Sequence, residues 1–329
     1  MIRVILGLTI ASLLFSCGGE RGKKTDSEQP TRVVNVPKFN SDSAYFFVEK
    51  QVKFGPRVPN SMAHREAGDY FIDMFKRQGA VVTVQEFEAT TFDGHRLKLR
   101  NLIASFGPEK QKRILLAAHW DTRPFADKDS AKKDAPFDGA NDGASGVGVL
   151  LEMARHLGEN PASAGVDIIL FDGEDWGEKE NGSRQDLPPD LDSWWCLGSQ
   201  YWAKHKHKPN YSAYYGILLD MVGAKGSRFF REGTSLEYAP KIVDKVWNTA
   251  ERLGFSSYFV KQNQSSIIDD HLYINEKAKI PMIDIVHYQP GVGYFGDYHH
   301  SQKDNLGIIS KETLDIVGDV LMNVVYYEE

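Results

Sequence analysis

The run Phe171-Asp172-Gly173-Glu174-Asp175-Trp176-Gly177 sets two adjacent carboxylates directly after an apolar stretch, Val166 to Phe171, that reads as a buried strand. Successive side chains of a strand alternate between faces, so neighbours cannot serve one purpose while the chain stays extended. Gly173 breaks the strand just before the pair and lets both carboxylates turn into a crevice, which in an open α/β sheet forms at the carboxyl ends of the strands. A bare Glu-Asp pair is more often a solvated acidic turn, but two further segments change that balance. Phe137 to Gly146 is a glycine-rich entry to a helix-like run, Val147 to His156, and can aim Asp142 inward at the helix start. Tyr298 to Asn305 carries His299 and His300. Together Asp142, Asp175 and His300 form an oxygen, oxygen, nitrogen set with a fourth position open. That pattern suits a catalytic zinc, and Glu174 beside it suits a general base.

More polar residues follow apolar strands. Leu115 to Ala118 leads into His119 and Asp121, Tyr215 to Leu219 into Asp220, and Ser266 to Ile268 into Asp269-Asp270-His271. One such strand end is ordinary; five point to a shared site.

The ordered series His119-x-Asp121, Gly139-x-x-Asp142, Asp172-Gly173-Glu174-Asp175, Leu219-Asp220, Asp269-Asp270-His271 and His300 resembles the zinc aminopeptidase-like superfamily. Within it the chain is similar to bacterial forms of the animal-type glutaminyl-peptide cyclotransferases, from about residue 40 onward. The resemblance implies one zinc ion on Asp142, Asp175 and His300, Glu174 as the base, and Asp220 and Asp269 hydrogen-bonding around it. It departs from the animal enzymes at Asp175, where they carry Glu, and at His299, where they carry Trp. Phe295 keeps a matching spacing to His300. The family's pocket tryptophan has three candidates, Trp176, Trp194 and Trp195. Trp195 is preferred because it abuts the Cys196-Leu197-Gly198-Ser199-Gln200 helix entry.

The ends of the chain say where it works. Residues 1–17 read as a secretion signal: Arg3, a short apolar run from Val4 to Phe15, and the lipobox Leu14-Phe15-Ser16-Cys17. Cys17 would be acylated and anchor a lipoprotein in the bacterial cell envelope, on the periplasmic side or at the outer membrane. Residues 18–40 read as a flexible polar tether and 41–329 as a single catalytic domain. With Cys17 lipidated, Cys196 is the remaining thiol of the two cysteines and reads as a buried small apolar residue. A net charge of −6, with no Lys/Arg-rich patch, argues against a nucleic-acid partner. The expected partners are peptides and proteins with N-terminal glutamine, met by a monomer.

The pattern between the motifs is α/β. Helices are expected from Ser61 to about Gln78, Val147 to Leu157, Tyr238 to Leu253 and Ser310 to about Val325. Strands are expected at 81–87, 102–106, 114–118, 166–171, 215–220 and 282–286. The continuous apolar runs fit a mostly parallel central mixed sheet with helices on both faces. Residues 181–193 read as a loop over the site. Two rivals share the residue inventory: a two-zinc aminopeptidase, with His119 and Asp220 on a second ion bridged by Asp142, and a peptide-binding lipoprotein with a dead site.

Overall fold

The computed structural model describes residues 34–179 and 186–328. The signal segment with Cys17, the tether up to residue 33 and positions 180–185 lie outside the described residues. Asn35–Glu329 forms one unit. The last part of the stretch read as tether packs into it, because Phe39 is buried against Gly318.

In chain order the strands are β1 (Val81–Thr90), β2 (Arg96–Phe106), β3 (Arg113–His119), β4 (Gly165–Phe171), β5 (Tyr215–Asp220), β6 (Phe229–Arg231), β7 (Phe259–Asn263), β8 (Met282–Val286), β9 (Tyr288–Gln289) and β10 (Gly293–Tyr294). The helices are α1 (Ser41–Lys53), α2 (Met62–Arg77), α3 (Ala144–Glu159), α4 (Leu197–Lys204), α5 (Gly233–Tyr238), α6 (Pro240–Arg252), α7 (Asp270–Tyr273) and α8 (Lys311–Tyr326), with a π-helical turn at Ile274–Ala278.

Local chemistry accounts for the helix starts. The Ser61 hydroxyl accepts the His64 N–H at 3.1 Å and the Ser310 hydroxyl that of Thr313 at 3.3 Å, satisfying donors that a first turn leaves open. Asn40 does the same for α1, taking the Ser43 N–H at 3.1 Å. The sequence reading assigned no element to α1, although Ala44, Phe47, Val48 and Gln51 make a buried stripe of helical period.

The sheet has the order β1-β2-β4-β3-β5-β8. β1 and β2 pair antiparallel, β2 runs antiparallel to β4, and β4, β3, β5 and β8 are mutually parallel. The four parallel strands are buried along their whole length, as strands covered on both faces must be. Edge strand β1 alternates instead. Helices α1, α2, α3 and α8 pack together on one face. On the other, Trp202 of α4 and Ile274 of the π turn close over Leu115, Ala117, Ile169, Phe171 and Leu218. This is the α/β architecture expected, with β1 longer and α3 starting earlier than the pattern suggested.

One expectation changes. The described part of the 181–193 loop does not cover the crevice. Leu191 instead packs on Phe87, Leu97, Leu99, Trp176 and Leu197 beside α4, because that apolar surface offers burial that a polar crevice does not.

Helix α3 approaches the sheet at Gly146. A Cβ there would lie 2.4 Å from the Leu219 carbonyl oxygen and 3.0 Å from the Ala118 Cβ. Gly146→Ala is therefore expected to cost about 1–3 kcal/mol through overpacking, read as a lower urea midpoint. An unchanged midpoint would show that the helix–sheet spacing is not set at this contact.

Candidate active site

Parallel pairing brings the polar strand ends to one edge. His119 of β3 lies level with Phe171 of β4, and the Ala117–Leu218 pairing puts Asp220 beside it. After Phe171 the chain turns at Gly173, with φ +71°. The turn is clamped from two sides. The Asp121 carboxylate accepts the N–H groups of Glu174 (3.1 Å) and Asp175 (3.2 Å). From across, the N–H of Cys196 donates to the Glu174 carbonyl (2.9 Å) and that of Leu197 to the Gly173 carbonyl (3.0 Å).

Arg123 completes the clamp. Its N–H donates to Asp175 Oδ2 at 2.9 Å, and its guanidinium donates to the carbonyls of Asp175, Gly177 and Glu178 and to both oxygens of Asp127. Asp127 Oδ1 in turn lies 3.5 Å from His300 Nδ1. Asp142 is held through its backbone: Asp304 accepts the N–H groups of Asn141 (2.7 Å) and Asp142 (3.0 Å). Burial pushes the Asp304 carboxyl up to about 7.

What these supports leave open is informative. Asp142 Oδ2 and Asp175 Oδ1 are buried without a hydrogen-bond partner, yet His300 Nε2 lies 3.7 Å from the first and 3.0 Å from the second. His300 Nε2 thus stands within reach of both carboxylates, paired with Asp175, and an O/O/N donor set of this kind fits zinc; the ligand atoms that all lie within 4.8 Å of one another here are those of Asp142, His299 and His300. A second set shares Asp142: His119 Nε2 is 3.0 Å from Asp142 Oδ1 and 3.3 Å from Asp220 Oδ1, and these three residues could also hold an ion. His299 lies near the first set, its Nε2 3.9 Å from Asp142 Oδ2. However, Lys128 donates to His299 Nδ1 at 2.9 Å, and a neutral ring that accepts there carries its proton on Nε2, unsuited to ligation. Burial and the neighbouring His300 hold His299 well below the usual histidine range.

All nine residues singled out from the sequence line one cavity of about 240 Å³: Asp142, Asp175, His300, Glu174, Asp220, Asp269, Trp195, Phe295 and His299. Trp195 lies parallel to the His300 ring, centroids 5.8 Å apart, and the Arg123 guanidinium sits 4.6 Å from the Trp195 ring centroid. Phe295 packs on His299 at 4.5 Å. Of the other tryptophans, Trp176 joins the Leu191 cluster and Trp194 is buried; neither lines the cavity. Burial raises Glu174 well above the usual carboxylate range; His119 opposes this, while Asp175 and Asp269 add to it. Burial, with Asp269, also raises Asp220 to about 7, against the pull of His119.

Several motif residues serve the frame. Asp172 pairs with His64 at 2.8 Å and accepts the Arg100 N–H, and His271 pairs with Glu232 at 3.0 Å. Cys196, read as a small apolar residue, is buried but donates its thiol to Glu174 Oε1 at 3.3 Å. Arg123, Asp127, Lys128 and Asp304 were given no role from sequence. The i, i+4 spacing of Arg123 and Asp127 just beyond a polar strand end was the available signal.

The chain belongs to peptidase family M28, which matches residues 101–325. A solved glutaminyl cyclase from Bacteroides thetaiotaomicron, bound to N-acetylhistamine, is 45% identical with a TM-score of 0.86, covering 90% of this chain and 100% of that one. A zinc-dependent exopeptidase from Parabacteroides distasonis is 50% identical with a TM-score of 0.85, covering 89% of this chain and 100% of that one. Aminopeptidase YwaD of Bacillus subtilis is 28% identical over 295 residues, 82% of this chain; the chain spans about half (54%) of that protein's length.

Asp121 does not line the cavity, yet it holds the backbone of both carboxylate residues of the turn. Asp121→Ala is expected to weaken zinc affinity 10–100-fold, as loss of such supports typically does, measured by competition with a chromogenic chelator. Unchanged affinity would show that the turn holds its shape without Asp121.

Proposed function

We propose that this chain is a glutaminyl-peptide cyclotransferase, converting the N-terminal glutamine of peptides and proteins to pyroglutamate with release of ammonia. One observation carries the reading. A cavity of about 240 Å³, with room for one residue, brings Glu174, Asp220 and Asp269 against an O/O/N set under an aromatic wall. The 45% identity to the Bacteroides cyclase over that whole chain supports it.

In the reaction the substrate's α-amine attacks its own γ-carbonyl carbon. A C–N bond closes the five-membered ring, and the amide C–N bond breaks. Glu174 takes a proton from the attacking amine and returns it to the departing ammonia; its raised proton affinity suits both tasks. Asp269 and Asp220, close to one another and buried, share protons and orient that exchange. Trp195, Phe295 and His299 fold the side chain onto the amine and keep water out. A single zinc ion on Asp142, Asp175 and His300 would supply Lewis acidity at the γ-carbonyl oxygen.

One feature favours a second reading, a two-zinc aminopeptidase. Asp142 presents Oδ1 to His119 and Oδ2 to His300, as a carboxylate shared by two ions would.

Two experiments test the proposal. In the first, two peptides differing only in Gln or Leu at position one are followed by mass spectrometry. Ammonia loss from the Gln peptide alone is expected, and free leucine at a comparable rate would establish the peptidase. In the second, Glu174→Gln should keep its metal and lose turnover by about 10²–10⁴-fold, while His300→Ala loses metal and activity together. Near-normal turnover in Glu174→Gln would remove the base from this scheme.

A further inference from the structure

Behind Glu174 lies a further group of ligand atoms, which differs from the two that share Asp142 in containing sulfur. One ligand atom each from Glu174, Cys196 and Asp269 lies within 4.8 Å of the other two. Cys196 is fully buried, in a left-handed backbone conformation (φ 58°) that only Gly adopts without strain. It is fastened to the Glu-Asp turn by its own N–H and that of Leu197. Its thiol is therefore held at the Glu174 carboxylate by the backbone as well as by the side-chain hydrogen bond. Asp269 is 4% exposed; its Oδ1 accepts the Asp270 N–H at 2.5 Å, and its Oδ2 is buried without a partner. Glu174 and Asp269 both line the cavity, so an ion can reach the group from the substrate side.

We propose that Glu174, Cys196 and Asp269 form an inhibitory site for a thiophilic divalent cation, Cd²⁺ or excess Zn²⁺, distinct from the O/O/N set. A thiolate with two carboxylates is a donor set such ions accept, whereas Mg²⁺ and Ca²⁺ prefer oxygen alone. On binding, the S–H proton leaves to solvent as the sulfur–metal bond forms, with no change of oxidation state. The ion would engage the carboxylate of Glu174 and so block proton transfer, whichever N-terminal residue the enzyme accepts. Burial, with Glu174 and Asp270 nearby, raises the thiol well above its ordinary range. The proton therefore competes with the ion.

The experiment uses full-length, zinc-replete protein carrying Cys17→Ala, which leaves Cys196 as its only thiol. Titration with Cd²⁺ should produce the ultraviolet thiolate-to-cadmium charge-transfer band, saturating at one ion per chain. Cadmium in the O/O/N set cannot produce that band, because the set holds no sulfur. His300→Ala should keep the band. Asp269→Asn should shift its midpoint at least tenfold toward higher Cd²⁺, with the thiol intact. Absence of the band in the Cys17→Ala protein would overturn the proposal. So would a midpoint unchanged in Asp269→Asn, which would mean that the thiol captures cadmium without the carboxylates.

Discussion

Buried carboxylates must be compensated, and this fold collects an unusual number of them at one edge of its sheet. Asp121, Asp142, Asp172, Asp175, Asp220, Asp269, Asp270 and Asp304 are all at most 7% exposed. An isolated ionised carboxylate in such surroundings would be prohibitively costly. Most are therefore answered locally. Asp121 takes two backbone N–H groups, Asp304 two more, Asp172 takes His64 and an amide, and Asp175 Oδ2 takes the Arg123 N–H. Hydrogen bonding stops at Asp142 Oδ2, Asp175 Oδ1, Asp220 Oδ1, Asp269 Oδ2 and both oxygens of Asp270. Of these five residues all but Asp270 line one cavity, where a cation or a substrate amine can answer them.

The same edge concentrates backbone strain. Cys196, Met221, Phe295 and His300 all adopt positive φ, and each sits at or next to a cavity residue. Non-glycine residues keep such conformations only where the surroundings over-determine them. Here those surroundings are the strand–turn hydrogen bonds, the Arg123 clamp and the close approach of α3 to β5 at Gly146. For the proposed cyclisation rigid placement matters, because ring closure within one residue leaves little tolerance in the angle between amine, carbonyl and base.

Local patterns made much of this visible in the linear chain. Continuous apolar runs identified β3, β4, β5 and β8, and capping serines located the starts of α2 and α8. Asp142, Glu174 and Asp175 were singled out because glycine breaks and strand ends limit where such side chains can point, and His300 through the paired histidines and the family resemblance. Even so, α1 passed unassigned, because its stripe is short and its cap is an asparagine at the edge of a polar segment.

The chain alone therefore determined the class of sheet and the polar residues gathered at its strand ends, since these follow from strand and helix periods and from side-chain chemistry. Tertiary structure decided the rest. Trp195 rather than Trp176 or Trp194 lines the cavity, because residues far apart in sequence bury the other two. Lys128, 171 positions away, fixes the His299 tautomer. Cys196 became a partner of Glu174 because two backbone hydrogen bonds join segments about twenty residues apart. Contacts of that range depend on how the sheet closes and on which helix covers it, and a one-dimensional pattern carries no signal of either.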